Sequence, residues 1–321
     1  MMVEPMGFTQ TRSARFSFGL CCALLVFSVI GTMNGTISAQ EPQTMIRTEV
    51  ELVNIVFTVT DKNGRPVPGL KADDFQVFDN KKPQKIEYFS DLGKSSDVPL
   101  TIALLIDTSG SVKGELDYEK STAVEFFKDI LRPKKDLALI IQFDSEVNLI
   151  QDFTQSFDDL LNSMDRLRAG GSTSLYDAVY LAAEEKLKHE TGRKVMVIIT
   201  DGDDTGSKVR KEEAIEAAQR SDVLIYGIGV QTEQSSFRVL KKFAEETGGA
   251  FFSPHARQAE IRDAFRSIRE DILGQYSLAY GLNAQKDGSY HALDIRCNVG
   301  GMRVRARKGY YAPKATPADF E

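Results

Sequence analysis

The stretch "LLIDTSGSV", Leu104 to Val112, decides how the rest of the chain is read. An apolar run closes abruptly on an acid and two serines. A strand buried on both faces has no ordinary use for Asp107, Ser109 and Ser111 at its end. Either these side chains cap a following helix, or they hold something.

Three further apolar runs share the texture of Leu100 to Asp107, "LTIALLID". They are "LALIIQF", "KVMVIIT" and "VLIYGIGV". Continuous apolar runs suit parallel strands covered on both faces. Between them lie stretches with a period of 3.6. In "KSTAVEFFKDIL", Ala123, Phe126, Phe127, Ile130 and Leu131 fall on one helical face, and Ile261, Ala264, Phe265, Ile268 and Ile272 repeat the pattern. Gly248-Gly249 ends the helix that begins near Phe237. The alternation from Val98 to Gly274 predicts an α/β fold, an open, doubly wound, mostly parallel sheet flanked by helices. Ligands of such sheets bind beyond the carboxyl ends of the strands, where Asp107 and Asp201 both sit.

The two flanks read differently. "VELVNIVFTVTDKNG" is a strand ending in a turn at Asn63-Gly64, and "DDFQVFDNKKPQKIEYF" is a hairpin with Asp79-Asn80 at its bend. Alternation returns in "QYSLAYGL", "YHALDIRC" and "MRVRARKGYY". Neither end has enough strands for a core. The expected organisation is therefore a small β-sandwich formed by residues 40–96 and 275–321, with the α/β domain of residues 97–274 inserted into it.

Residues 1–39 stand apart. Arg12 and Arg15 precede the apolar "FSFGLCCALLVFSVI", Phe16 to Ile30, and small and polar residues follow. This order is that of a secretory signal peptide, cleaved after Ala39, although Ile37 fits poorly before the cut. The apolar run is short for a membrane span, which needs about 20 residues. An uncleaved N-terminal anchor is the alternative, and no lipoprotein signature leads into Cys21 or Cys22. Cleavage leaves Cys297 alone, so the mature chain has no internal disulfide, and Cys297 is expected as a packed structural thiol.

The chain has 321 residues, 42% of them hydrophobic, and a formal net charge of -6. That balance gives no basis for a nucleic-acid partner. The one basic run, Arg303 to Lys308, reads as the solvated face of an alternating strand. His189, His255 and His291 are scattered and carry no expected role.

Three weak signals converge on one sheet edge. They are Asp107-x-Ser109-x-Ser111, the "AGGSTSLYDAV" loop that offers Thr173 after Gly170-Gly171, and the "ITDGDD" turn that offers Asp201. Taken singly, these are a helix cap, a loop and a turn. Taken together, they resemble the metal-ion-dependent adhesion site of von Willebrand factor type A domains, over about Pro99 to Ile272. Asp107, Ser109 and Ser111 match its D-x-S-x-S element, Thr173 its isolated threonine and Asp201 its second aspartate. The flanks, with "DKNGRPVPGLKADDFQVFDN" and "RVRARKGYYAP", are further similar to exported bacterial proteins called VWFA-related, known mainly from acidobacteria.

The resemblance implies a metal-dependent protein-binding module, secreted or periplasmic, and not an enzyme. Hydroxyls and carboxylates are hard donors, suited to Mg²⁺ or Mn²⁺, less to Ca²⁺ and not to zinc. An open coordination position would take an Asp or Glu side chain of a protein partner, with Thr173 exchanging between direct and water-mediated contact. Asp203 and Asp204 read as a solvated turn. Two other readings stand beside this one. A strand-end aspartate with a later "DGDD" also resembles haloacid dehalogenase-type phosphohydrolases, although Ser109 stands where their second acid belongs and no lysine can be placed. A scaffold with a purely structural metal is the third.

Overall fold

The computed structural model describes residues 51–93, 96–110, 116–202, 204–230, 236–254, 258–282 and 286–314. The expected signal peptide, Cys21, Cys22, Ser111, Asp203 and His255 lie outside the described residues.

The strands are β1 (Leu52–Thr60), β2 (Phe75–Asp79), β3 (Lys82–Gln84), β4 (Tyr88–Asp91), β5 (Leu100–Asp107), β6 (Leu137–Phe143), β7 (Val147–Thr154), β8 (Arg193–Thr200), β9 (Val223–Gly229), β10 (Phe251–Phe252), β11 (Gln275–Gly281), β12 (Tyr290–Cys297), β13 (Arg303–Ala306) and β14 (Gly309–Tyr311). The helices are α1 (Leu116–Ile130), α2 (Phe157–Met164), α3 (Leu175–Tyr180), α4 (Lys211–Arg220), α5 (Arg238–Thr247) and α6 (Gln258–Leu273).

The four apolar runs form the centre of a six-stranded sheet in the order β10-β9-β8-β5-β6-β7. All neighbours in it are parallel except β6 and β7. Strands β5 and β8 are buried at every position. Alternate residues of each feed different cores, so Leu104 and Val197 pack with α1 and α6, while Leu105 and Ile198 pack with α3, α4 and α5. Both faces of the sheet are covered, and polar residues are admissible only at the strand ends. The edge strand β7 and the two-residue β10 extend the sheet beyond the four apolar runs. Both are short of buried positions, which is why an apolar-run reading passes over them.

Two four-stranded antiparallel sheets, β13-β1-β11-β4 and β14-β12-β2-β3, draw strands from both ends of the chain. They share one core, in which Ile55, Phe57, Val77, Tyr276, Leu278 and Ile295 meet. Phe57, Phe75, Phe89 and Tyr276 pack as an aromatic group with ring centroids 5.1–6.1 Å apart. Half-buried Cys297 packs at its margin. The hairpin bend falls one residue later than the sequence suggests. Asn80 and Lys81 are the turn pair, with φ of 48° and 67°, while Asp79 stays in the strand opposite Lys82. A two-residue hairpin with both residues left-handed is the turn that matches strand twist.

Asp79 remains inside because the sandwich gives it partners. His291 Nδ1 lies 2.8 Å from one carboxyl oxygen, and the hydroxyls of Tyr280 and Tyr310 donate to the other at 3.0 and 2.8 Å. Burial and the acid raise both tyrosines above their ordinary range. His291 thus has a structural place, and His189 is exposed.

The basic run corrects a sequence expectation. It is not a solvated face throughout: Arg305 pairs with Asp271 of α6, and Arg307 pairs with Asp222 while donating to the Asn54 carbonyl at 2.8 Å. The outer face of this sheet is covered by the α/β part, so its alternate residues meet protein rather than water. Asp271, 5% exposed, also accepts the Tyr226 hydroxyl at 2.6 Å and the Thr58 hydroxyl at 3.4 Å. Below it, the Arg193 guanidinium donates to the carbonyls of Leu92 and Ile272 at 3.1 and 2.9 Å. Burial pulls that arginine down to about 10.

Removing one partner of a buried ion pair leaves the other charge stranded, at a cost of about 3–5 kcal/mol. Arg305→Met should therefore lower the urea midpoint far more than Arg303→Met, since Arg303 is exposed. Equal midpoints for the two variants would deny the Asp271 pair its structural role.

Candidate metal centre

Strand β5 is bonded to β6 on one side and β8 on the other, and the chain leaves it in opposite directions. Its carboxyl end is the switch point at which such sheets open a crevice. Asp107 occupies that end, with the whole residue at 0% exposure. One carboxyl oxygen accepts the Ser109 N–H at 2.8 Å, and the other accepts the Thr200 hydroxyl at 2.5 Å. Burial holds the Asp107 carboxyl above the usual carboxylate range, and the nearby charge of Asp201 adds to that rise.

Three loops are laced together around this carboxyl. Gly170 N–H donates to the Thr108 carbonyl at 2.6 Å, and Gly110 N–H to the Gly171 carbonyl at 3.3 Å. Thr173 N–H donates to the Thr205 hydroxyl at 3.0 Å, and the N–H groups of Thr205 and Gly206 return to the Thr173 carbonyl. Four of the five residues singled out in the sequence, Asp107, Ser109, Thr173 and Asp201, are thereby brought to one place. All four are buried, Ser109 at 3%, Thr173 at 7% and Asp201 at 5% exposure. The fifth, Ser111, lies outside the described residues.

The donor set fits a hard divalent cation. Among the described residues the Asp201 side chain makes no hydrogen bond or ion pair, although it is almost wholly buried and close enough to raise Asp107. The Thr173 hydroxyl likewise has no partner. Oxygen atoms that the protein leaves unbonded on such nearly buried residues are available to a ligand. No group of three or more His, Cys, Asp or Glu side chains with metal-holding geometry occurs among the described residues, so hydroxyls are needed to complete a site.

Sequence reasoning missed the supports. Thr200, which orients Asp107, is the residue before Asp201. Asp144 follows the apolar run of β6, so the strand-end rule that selected Asp107 and Asp201 points to it as well. Its carboxyl accepts the Glu146 N–H at 3.0 Å, and its carbonyl accepts the Ser174 N–H at 2.8 Å. Asp204 is not a solvated turn residue: it accepts the N–H groups of Tyr176 and Ser207 at 3.1 and 3.2 Å and tethers the start of α3. Gly171 has a φ of +85°, and a Cβ there would meet the Ser145 hydroxyl oxygen at 2.4 Å. The same serine oxygen accepts the Ser172 N–H at 3.0 Å.

A family model described as the von Willebrand factor type A domain matches residues 101–266. Inter alpha-trypsin inhibitor heavy chain 4 of Mus musculus is 23% identical over 209 residues, covering 58% of this chain and 21% of that protein. Integrin alpha-M of Mus musculus is 27% identical over 188 residues, covering 53% of this chain and 15% of that protein. The chain thus spans about a fifth or less of the length of these relatives. Among solved structures, proximal thread matrix protein 1 from the mussel byssus superposes with a TM-score of 0.51 at 16% identity, covering 60% of this chain and 50% of that one. That mussel protein is also described with zinc in its adhesion-site motif.

Residues that orient a metal ligand typically contribute about 10–100-fold in affinity. Thr200→Val keeps the shape and removes the hydroxyl from Asp107, so Mg²⁺ affinity measured by calorimetry should fall by at least the lower figure. Gly171→Ala forces a left-handed alanine against Ser145 and should cost about 1–3 kcal/mol in stability. Gly110→Ala has open space and should not.

Proposed function

The chain belongs to the von Willebrand factor type A domain family, and on that premise we propose that it is an exported protein-binding module whose divalent cation engages an acidic side chain of its partner. Domains of this family are typically metal-dependent protein-interaction modules. The observation that carries the reading here is the unpartnered Asp201 carboxylate beside the fully buried Asp107.

Asp107, Ser109, Ser111, Thr173 and Asp201 are the residues that would hold the ion. Mg²⁺ or Mn²⁺ is the ion their oxygens favour, because two carboxylates balance its charge and the hydroxyls add none. When bound, the cation supplies an electrophilic position open to an outside carboxylate. The chain's own residues do the rest. Thr200 and the Ser109 N–H fix the Asp107 carboxyl, and the Asp204 tether and Ser145 contact hold the Thr173 loop against it. A single carboxylate contact is small, so the loops carrying residues 170–174 and 204–207 must supply area and specificity.

Export rests on the signal-like sequence of residues 1–39. No helix among the described residues is long and apolar enough to cross a membrane, which leaves strand-built spans untouched.

Calorimetry with Mg²⁺, Mn²⁺ and Zn²⁺ on metal-stripped protein tests the ion. Asp107→Ala should abolish Mg²⁺ binding, since one carboxylate cannot balance a divalent ion. Binding equal to wild type would place the site elsewhere. Retention of envelope proteins on the immobilised chain tests the partner. EDTA should release the partner and Mg²⁺ restore it, and Thr173→Ala should weaken retention at matched thermal stability. Retention unchanged in EDTA would leave the ion a structural role. Turnover of a generic phosphate ester with Mg²⁺ would favour the phosphohydrolase reading instead.

A further inference from the structure

A second cavity, of about 310 Å³, opens at the opposite end of β8, where the sandwich meets the α/β part. It is lined from β1 by Asn54, from the start of β8 by Arg193 and Lys194, from the turn before β9 by Asp222, and from the end of β13 by Arg307. Lys194 and Thr200 are six residues apart on one strand, so this cavity and the Asp107 crevice are separated by about 20 Å.

Its charges do not cancel. The lining holds three cations, Arg193, Lys194 and Arg307, against two carboxylates, Glu190 and Asp222. Asp222 is taken by Arg307. Arg193 is held by neutral carbonyls alone. Lys194 is 8% exposed, and its ammonium has no hydrogen bond or ion pair among the described residues. The Nε of Arg307, on a side chain 10% exposed, is buried and unpartnered as well. Burial holds Lys194 below the ordinary lysine range, opposed by the charges of Asp222 and Glu190 and reinforced by Arg307. A lysine is kept buried and unpaired only at considerable cost. Lys194 lines the cavity, where a ligand could supply what the protein does not.

We propose that this cavity is an anion site, in which Lys194 and Arg307 receive a compact oxyanion, a carboxylate or phosphate group of a small molecule. Two cationic donors from different parts of the chain make charge-assisted hydrogen bonds to one oxyanion. The volume lies at the small end of ligand pockets, which limits the occupant to a few heavy atoms around its charged group. Because Arg307 follows β13 and Lys194 begins β8, the bound anion ties the sandwich to the central sheet. The site does not involve the metal-binding residues.

Calorimetry with inorganic phosphate and with succinate, on metal-stripped and desalted protein in a chloride buffer, tests the site. Wild type should bind at least one of the two saturably in the low-millimolar range. Binding of phosphate alone assigns a phosphate group, and binding of succinate assigns a carboxylate. Lys194→Met should weaken binding by about tenfold or more, the scale of one lost charge-assisted bond. Asp107→Ala should bind the anion as wild type does, which separates this site from the metal centre. Melting gives a second reading. Without anion, Lys194→Met should melt about 2–4 °C above wild type, because it removes an unpaired buried charge. Phosphate or succinate should then raise wild type and leave the variant unmoved. No saturable binding of either probe by wild type, or equal binding by Lys194→Met, would overturn the proposal.

Discussion

Everything at the functional edge of this protein depends on one carboxyl group placed where no water reaches it. Asp107 ends a strand whose residues are all buried, and it is held by a backbone N–H and by the Thr200 hydroxyl of the neighbouring strand. A carboxylate in such a place costs free energy unless positive charge compensates it. Beside it, the Asp201 carboxylate has no hydrogen bond or ion pair among the described residues and raises Asp107 by its charge. The sheet makes this arrangement possible, because β5 is the strand at which chain direction splits. The loops then have only to meet, and they do so through backbone hydrogen bonds that need no particular side chain.

The sandwich is more than an appendage to that sheet. Strand β1 turns Ile55 and Phe57 into the sandwich core and sets Val56 and Thr58 against the α/β part. It is therefore a strand with two different interiors. Where the two meet, the interior is polar: Asp271 takes Arg305, Tyr226 and Thr58, and Arg193 donates to the carbonyls of Ile272 and Leu92. Buried polar contacts of this kind fix relative geometry, since a shifted arrangement leaves charges unpaired. Helix α6 thus runs from the wall of the central sheet to a clasp on the sandwich, with only Gly274 before β11.

The sequence by itself determined the central sheet and the helix faces, and it supplied the residues proposed as the metal-ligand set. These rest on local signals: continuous apolar runs, the 3.6 period, and acids at the ends of strands. Asp107, Ser109, Thr173 and Asp201 were legible because each stands beside such a run or a glycine turn. What only the tertiary structure decided is which polar residues are paired and which are not. Arg305 and Arg307 alternate as a solvated strand would, yet the facing partners are more than thirty residues away along the chain. Asp79 belongs to a strand rather than a bend because Tyr280, Tyr310 and His291 reach it from the other end of the chain. Lys194 is one more residue of an apolar strand until burial without a partner makes it conspicuous. Periodicity reports which face a side chain takes, but the free energy of a buried charge depends on what lies opposite, and that is fixed only when distant segments pack.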